Sequence, residues 1–513
     1  GEEGGEGTRD ETLPGVYSQI YAGYCVADNI YADATNDHLP DMAHGRICAK
    51  TDVQMQDMIE KMFSYERQPV MNPGYYDHPL IAGGWQTERW FILCSEIIYG
   101  HQANALGKDP VREYAIYSGS PGYTWSTAPN TGTVVGYFGP SGLGYIPSQP
   151  THLTDWGGNY VGINNAINDG AYFVMHRDHG LEIGWGEPAY NSGNVNMLTN
   201  ADNYPFVFSI NCLTGKYNWG GSSFSENFHR FADKGAVGLI AASEVSYSFV
   251  NDVFVWGIFD SMWPEFDPYH GDGGTSATLL RPAFGHTSGK YYLRNSNWPY
   301  NSNRKNVTYA LFHHHGDVFL TMHDQVPTPM TVFHGSELGF DEDTFAITAE
   351  AGALVGLTVG GELIGVGEGT GVEQLIPIIP QTHEGELRIV CTKANRLRYD
   401  VNIPVTGFSG APETASSSTS VRLSRVLPNP TAGDATIAFQ VPAGADGSQV
   451  ELGIYDPSGR LVRTLVNAPQ SAGQHSVRWD GRDQAGEQVA SGVYYCKLSS
   501  SGEQDRRRVV LLR

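Results

Sequence analysis

No two of the six cysteines stand as a Cys-x-x-Cys pair, so a zinc ribbon is excluded. Six thiols over 513 residues are also too few for a dense disulfide scaffold. One or two disulfides, or a lone reactive thiol, stay open. No apolar run reaches the roughly 18 residues of a membrane-crossing helix, so no transmembrane segment is expected. The opening GEEGGEGTRDETLPG lacks the apolar stretch of a signal peptide. It reads as a flexible acidic loop, which suits a cut end inside a longer precursor. Charge is sparse at 17%, and positive charge is scarcer still: 32 Lys and Arg face 55 Asp and Glu, a net charge of −23. Nucleic acid and anionic lipid are therefore poor partners, because the phosphate term is repulsive. Cationic substrates and bound cations stay compatible.

What is plentiful is glycine (62) and tyrosine (28), within a chain that is 40% hydrophobic and 12% aromatic. That mixture buries real cores and suits an extracellular, loop-rich, β-heavy protein. The length allows about three domains at roughly 150 residues each. Residues 1–327 mix helix and strand signals. TDVQMQDMIEKMFSYER is an amphipathic helix opened by a Thr51/Gln54 capping pattern, with Val53, Met55, Met58, Ile59, Met62 and Phe63 as its apolar stripe. ENFHRFADKG reads as a second helix stopped by Gly235. AYFVM, YPFVFSI and AVGLIAAS are short apolar runs, hence buried strands. Helices between buried strands indicate an α/β layer fold with a mostly parallel sheet.

From 328 the pattern alternates apolar with small or polar residues and Gly-rich turns, a β-sandwich over 328–406. Residues 407–420 are a Ser/Thr/Pro/Gly linker. A second all-β module fills 421–513, with ATIAFQV, QVELGIYD, HSVRWDG and SGVYYCKL as strands.

In open parallel sheets, ligands bind beyond the carboxyl ends of strands. Two strands end in reactive groups: AYFVM runs into His176, Arg177, Asp178, His179 and Gly180, and YPFVFSI runs into Asn211 and Cys212. If these strands are neighbours, a histidine faces a cysteine at the sheet edge. An imidazole takes a thiol's proton and makes a strong nucleophile. Gly180 lets a substrate backbone come close, and its N–H joins that of Cys212 as an oxyanion hole. The alternative is a buried structural cysteine beside an unrelated histidine.

Residues 16 to about 325 resemble the catalytic region of gingipain-type cysteine peptidases, relatives of the caspases and legumain. The likeness is carried by His179-Gly180 after one apolar strand, by Cys212 after a second, and by VNMLTNADNYPFVFSINCLTG along nearly its whole length. ADNIYADATNDHLPDMAHGRICAKT and LFHHHGDVFLTM resemble two further family segments. The resemblance implies a caspase-like catalytic domain in which His179 is general base and Cys212 nucleophile, with a peptide or protein as substrate. His176 does not precede the glycine and is the weaker base. The family's pocket for basic residues uses an acidic residue upstream of the His-Gly strand, and Glu88 or Glu96 stands there. Trp185 and the SEVSYS stretch, with Ser246 and Tyr247, are expected to wall the primary pocket. Leu181 departs from the small hydroxyl residue that often follows His-Gly, and HHHGDV departs from FGDP.

The family places two strands ahead of the segment matched here. Their absence implies proteolytic processing and a companion N-terminal fragment of the same precursor. Asp28, Asp33, Asp37 and Asp41 stand at turn-like spacing, and Asp33, Asp37 and Asp41 are candidate ligands for a structural Ca²⁺. No cofactor is expected for the chemistry itself. Residues 328–406 resemble the immunoglobulin-like module behind gingipain catalytic domains. Residues 421–513 resemble flagellar-hook-capping-like and type IX sorting domains, through Asn429-Pro430, Asp456-Pro457-Ser458-Gly459-Arg460 and Trp479-Asp480-Gly481. The expectation is a secreted or cell-surface cysteine endopeptidase. The competing reading is a peptidase-fold protein with a structural or adhesive role. A glycan-binding module, suggested by the Trp and Tyr content, is a third.

Overall fold

The computed structural model describes residues 25–270, 280–407, 421–427, 431, 433, 435–442, 447–500 and 503–511. The opening acidic stretch, nearly all of the 407–420 linker and the Asn429-Pro430 turn lie outside them.

The N-terminal region is built on one six-stranded sheet. Its strands are β1 (Leu80–Gln86), β2 (Val111–Ser118), β3 (Phe173–Arg177), β7 (Phe206–Ile210), β8 (Gly238–Ala242) and β9 (Phe312–His315). Between β3 and β7 lie the two-residue strands β4 (Gly180–Leu181), β5 (Gly184–Trp185) and β6 (Tyr190–Asn191), which form a small sheet of their own. The large sheet runs β2-β1-β3-β7-β8-β9. Every pairing is parallel except β8 with β9. The strand order reverses between β1 and β3, which makes a crevice at their carboxyl ends. The six strands pair without interruption, so the sheet has no central gap for a strand from elsewhere.

The three apolar runs read from the sequence are β3, β7 and β8, and all three are buried along their whole length. Helices cover the sheet. Phe91–Gly100 and Val250–Met262 are buried nearly all round, which is why neither shows an amphipathic stripe in sequence. Trp90, Trp256, Phe138 and Trp298 meet edge-on or stacked at 5.2–6.2 Å in the same layer. Each such ring removes roughly 150–250 Å² from water, worth about 4–6 kcal/mol as an upper figure.

Helix Asp52–Arg67 starts at Thr51, whose hydroxyl accepts the Gln54 N–H at 3.2 Å, while Gln54 reaches back to the Lys50 N–H at 2.9 Å. Its expected stripe splits. Met58 and Met62 are buried, but Val53, Met55 and Phe63 are exposed. The second expected helix covers Phe224–Arg230, ending before Gly235.

The residues beyond about 327 are strand-rich. Leu354–Val359 pairs antiparallel with Glu362–Glu368 and with Gly385–Thr392, and Thr344–Ala349 pairs with Val332–His334 and Gln374–Pro377. Alternate residues such as Val355, Leu357, Leu387 and Ile389 are buried, as one-sided strands require. The C-terminal module has a three-stranded and a four-stranded sheet around Leu423, Phe439, Leu452, Trp479, Cys496 and Leu498. Two compact units result. One holds 25–336, 344–378 and 386–403, and the other holds 337–343, 379–385 and the described residues from 404 onward.

Candidate active site

Strand register builds the site. β3 and β7 are adjacent, and Arg177 pairs with Ile210 at their carboxyl ends. His179 and Cys212 each follow two residues later, so both emerge at the same level of the sheet. They line one cleft of about 290 Å³, together with Ser246, Tyr247 and Phe249 from the segment after β8.

Cys212 is the one free cysteine of the six that is not buried. The next residue, Leu213, has φ +62°, a left-handed turn that a leucine adopts at a cost of roughly 1–2 kcal/mol. That turn ends the strand direction abruptly at the sulfur. The Cys212 Sγ accepts the Ser246 N–H at 3.3 Å, and the Ser246 hydroxyl lies 3.7 Å away. Asn251 holds that hydroxyl by donating to it at 2.7 Å. Burial pushes the thiol pKa above its ordinary value, against the lowering effect of the Ser246 hydrogen bonds.

The His179 Nε2 lies 2.8 Å from Gln86 Oε1, at the end of β1. A carbonyl oxygen only accepts, so the ring is assigned as the Nε2–H tautomer, which leaves Nδ1 as proton acceptor. Tyr117 and Phe91 clamp the ring at centroid distances of 4.4 and 5.3 Å. Burial, then the charges of Arg177 and Arg89, lower the His179 pKa to about 4. A high thiol and a low imidazole make a neutral pair at rest. The pair is therefore arranged for general-base activation of a thiol and holds no standing thiolate–imidazolium ion pair.

A Cβ on Gly180 would lie 2.5 Å from the Cys212 carbonyl oxygen and 2.8 Å from Asn211 Oδ1, so no side chain fits there. The Gly186 N–H donates to the His179 carbonyl at 2.8 Å. Antiparallel ladders alternate, so the next pair, Gly180 with Trp185, is the non-hydrogen-bonded one. The Gly180 N–H thus turns out of the ladder, as an oxyanion donor must.

The other expected residues divide. Ser246 and Tyr247 line the cleft. Trp185 does not, and the expectation is corrected: its ring is buried and stacks on His176 at 4.2 Å and 2°, while its indole N–H donates to Ser209 Oγ at 2.8 Å. An indole N–H in a core needs an acceptor, and Ser209 supplies it. His176 itself is sealed, with Asn211 at 2.8 Å on Nδ1 and the Glu187 carbonyl at 3.1 Å on Nε2. Glu96 is buried in helix Phe91–Gly100 under Arg112, Tyr114 and His152, away from the cleft lining. Glu88 is exposed and accepts from Gln86. Neither carboxylate lines the cleft. Phe249, which does, has φ +72°.

Asp33 accepts the backbone N–H groups of Asp37 and His38, Asp41 accepts that of Thr35, and Asp37 takes Leu39 N–H and Arg294. These carboxylates are thus engaged in tying their own loop. Among the described residues, no group of three or more His, Cys, Asp or Glu is placed to hold a metal ion. Asp28 is paired with Arg46. His313, His314 and His315 are buried on β9, and the Cys48 sulfur lies 3.4 Å from His315 Nδ1. None of the six thiols forms a disulfide. Sequence reading missed Arg89 and Arg177 as cleft groups and Gln86 as the partner of His179. The strand-end rule that found His179 would have found Gln86, had LIAGGWQ been read as a strand.

A mostly parallel α/β sheet with histidine and cysteine past adjacent strand ends defines a caspase-like cysteine-peptidase fold. The sequence pattern of peptidase family C25 matches residues 4–322, and the chain belongs to that family. Residues 425–504 match the FlgD Ig-like domain. Lys-gingipain of Porphyromonas gingivalis is 22% identical over 387 residues, 72% of this chain. Gingipain R2 of the same organism is 21% identical over 495 residues, 94% of this chain. The chain spans 20% of the length of the first and 56% of the second. The crystal structure of the Arg-specific cysteine proteinase gingipain R superposes with a TM-score of 0.57 at 18% identity, covering 75% of this chain and 79% of that one. The complex of Porphyromonas gingivalis RgpB pro- and mature domains gives a TM-score of 0.57 at 17% identity, covering 74% and 81%. At these identities the structural likeness concerns the fold.

Proposed function

We propose that the protein is a cysteine endopeptidase working through a Cys212–His179 dyad. The observation that carries this is the shared cleft: two residues past one register pair, a partly exposed thiol and an imidazole with a free acceptor nitrogen line the same cavity. Cys212 attacks the scissile carbonyl as His179 Nδ1 takes the thiol proton. The N–H groups of Gly180 and Cys212 hold the oxyanion, and His179 returns the proton to the leaving amine. Water then hydrolyses the thioester by the same route. Gln86 keeps the ring in the required tautomer throughout.

A fluorogenic peptide panel tests the reading, with Cys212→Ala as control. Turnover that survives this substitution would exclude the proposed nucleophile. No helix among the described residues is long and apolar enough to cross a membrane. We place the protein outside the cell or on its surface, with the module matching the FlgD Ig-like domain serving export or attachment. Removing 421–513 is then expected to leave peptide turnover intact and abolish surface display. A companion N-terminal fragment, for which the pro- and mature-domain complex is the precedent, would bind at a sheet edge or face, since the sheet's interior places are taken.

A further inference from the structure

The charge of the cleft opposes the charge of the chain. The protein carries a net −23, yet Arg89 and Arg177 both line the cavity that holds Cys212 and His179. Arg177 is 1% exposed. Its Nε pairs with Asp252 and its Nη1 donates to the Ile210 carbonyl at 3.0 Å, but its Nη2 is buried without a partner. Its guanidinium lies 4.2 Å from the Phe91 ring centroid. Arg89 has its Nε buried without a partner, beside Phe249 at 5.9 Å. A third cation, Arg304, lies over Tyr247 at 5.0 Å.

A buried guanidinium N–H without an acceptor is costly, because the group gives up water and gains nothing. Two on one cleft mark the place of a missing anion. The acidic groups nearby do not supply it. Asp252 is already shared between Arg177 and the Phe249 N–H. Asp178 is walled by Gly84 and Gly186, accepts the Glu187 N–H at 2.7 Å on Oδ2, and is held toward its neutral form by burial, with a pKa of about 7; its Oδ1 is itself buried without a partner and so satisfies neither guanidinium. Asn251 and Asn301 each have a side-chain oxygen without a partner, but amides carry no net charge. The same positive field is felt by His179, whose proton affinity Arg177 and Arg89 each reduce by more than the exposed Glu88 raises it. A lysine or arginine entering this cleft would meet like charge in a partly desolvated space.

We infer that the primary pocket takes a carboxylate side chain, so that cleavage follows aspartate or glutamate, with Arg89 and Arg177 as its recognition groups. This rests on the peptidase reading of the same cleft and names its substrate class. The bidentate geometry of a guanidinium suits a carboxylate and gives little to the isosteric amide.

The test uses the full chain and one tetrapeptide series differing only at the residue before the reporter: Asp, Glu, Asn, Gln, Arg, Lys and Leu. Asp or Glu is expected to exceed its amide counterpart by about thirtyfold in kcat/KM. Arg89→Ala is expected to cut the acid-over-amide ratio of kcat/KM about tenfold, a ratio that cancels whatever the change does to every member through His179. The acid preference shrinks modestly as salt rises, because the half-buried Arg89 is partly screened. Cys212-dependent turnover fastest on Arg or Lys, or equal on Asp and Asn, overturns the inference and leaves the peptidase reading standing. If no member turns over, the Cys212→Ala protein is titrated with the free-acid and amide peptides. Tighter binding of the acidic peptide, lost in the Arg89→Ala background, supports the carboxylate pocket even as the peptidase reading fails. Equal binding removes both.

Discussion

Two cysteine–histidine pairs among the described residues invite comparison, and the one in hydrogen-bond contact lies outside the cleft of Cys212 and His179. Cys48 and His315 lie 3.4 Å apart, Sγ to Nδ1, joining the segment before helix Asp52–Arg67 to β9. Both are buried, at 9% and 1% exposure. Burial pushes the Cys48 pKa to about 12 and pulls His315 to about 3. That pair is packing. Cys212 and His179 instead share a cavity at the strand ends, each held by a third residue, Ser246 and Gln86. A sulfur touching an imidazole is thus a poor sign of catalysis on its own. What separates the pairs is a shared cavity, a Gly180 N–H turned out of its ladder, and a strained turn at Leu213 that presents the sulfur.

The largest expected effect breaks the comparison most directly. Cys212→Ala should lower peptide turnover by about 10³-fold or more. Cys48→Ala should leave kcat/KM within about twofold, because its sulfur faces no substrate, while lowering stability by roughly 1 kcal/mol through the small cavity it leaves. A matched loss from both variants, measured on samples of equal folded fraction, would erase the distinction.

Alkylation sharpens it next. Iodoacetamide should label Cys212 at least about a hundredfold faster than Cys48 in the folded protein, since access and thiolate content act together. With the Cys212 pKa raised by burial, its labelling rate should climb from pH 7 through pH 9 without a plateau. A rate already flat from pH 5 upward would show a preformed ion pair and a wrong assignment of the resting state.

Acid should act on the sealed chemistry before the open one. His44, His101, His176 and His315 are held near pKa 3, and His314 near 4, by burial. The unfolded chain takes these protons near pH 6.5, whereas the folded chain refuses them. Their contribution is therefore fully present above about pH 6.5 and is lost as pH falls from there toward 3, on the order of 3–5 kcal/mol for each histidine so depressed. The C-terminal module has no buried histidine among its described residues. Its urea midpoint should change little between pH 7 and pH 4, while that of the catalytic region falls. Equal shifts in both would mean that the buried histidines titrate normally.

The dyad and the three apolar strands were legible because β3, β7 and β8 together carry one glycine, Gly238 at the start of β8, and one charge, Arg177 at the end of β3, so each apolar run stays recognisable. β1 was not. Its Gly83 and Gly84 interrupt the apolar run, yet no side chain fits at either, because Arg177 O and the Asp178 carboxyl would lie 2.9 and 2.5 Å from any Cβ there. A glycine demanded by a neighbouring strand looks locally like a glycine demanded by a loop. With β1 went Gln86 and Arg89. Trp185 was misplaced for a related reason: sequence records that an aromatic follows His-Gly, but not that the hairpin β4–β5 folds its ring back over His176. Helix Asp52–Arg67 showed a stripe wider than the one that is buried, since periodicity cannot say how much of an apolar face a neighbour covers.

The smallest expected effect concerns Gln86, and it bears on why the open pair rests neutral. A neutral amide oxygen on His179 Nε2 fixes the tautomer but adds little to the imidazolium. A carboxylate there would stabilise the cation and raise the His179 pKa from about 4 by roughly one unit. Gln86→Glu should therefore move the acid limb of kcat/KM upward by about one pH unit and quicken labelling of Cys212 near neutrality. Glu88 complicates the single change, because it now accepts from the Gln86 amide and would face a like charge. The pair Gln86→Glu with Glu88→Gln restores a donor opposite the new carboxylate and should show the full shift. If Gln86 merely fills space, the conservative Gln86→Met variant would match wild type in both limb and rate. An acid limb that stays fixed in the paired variant would mean that the proton acceptor of this cleft is some group other than His179.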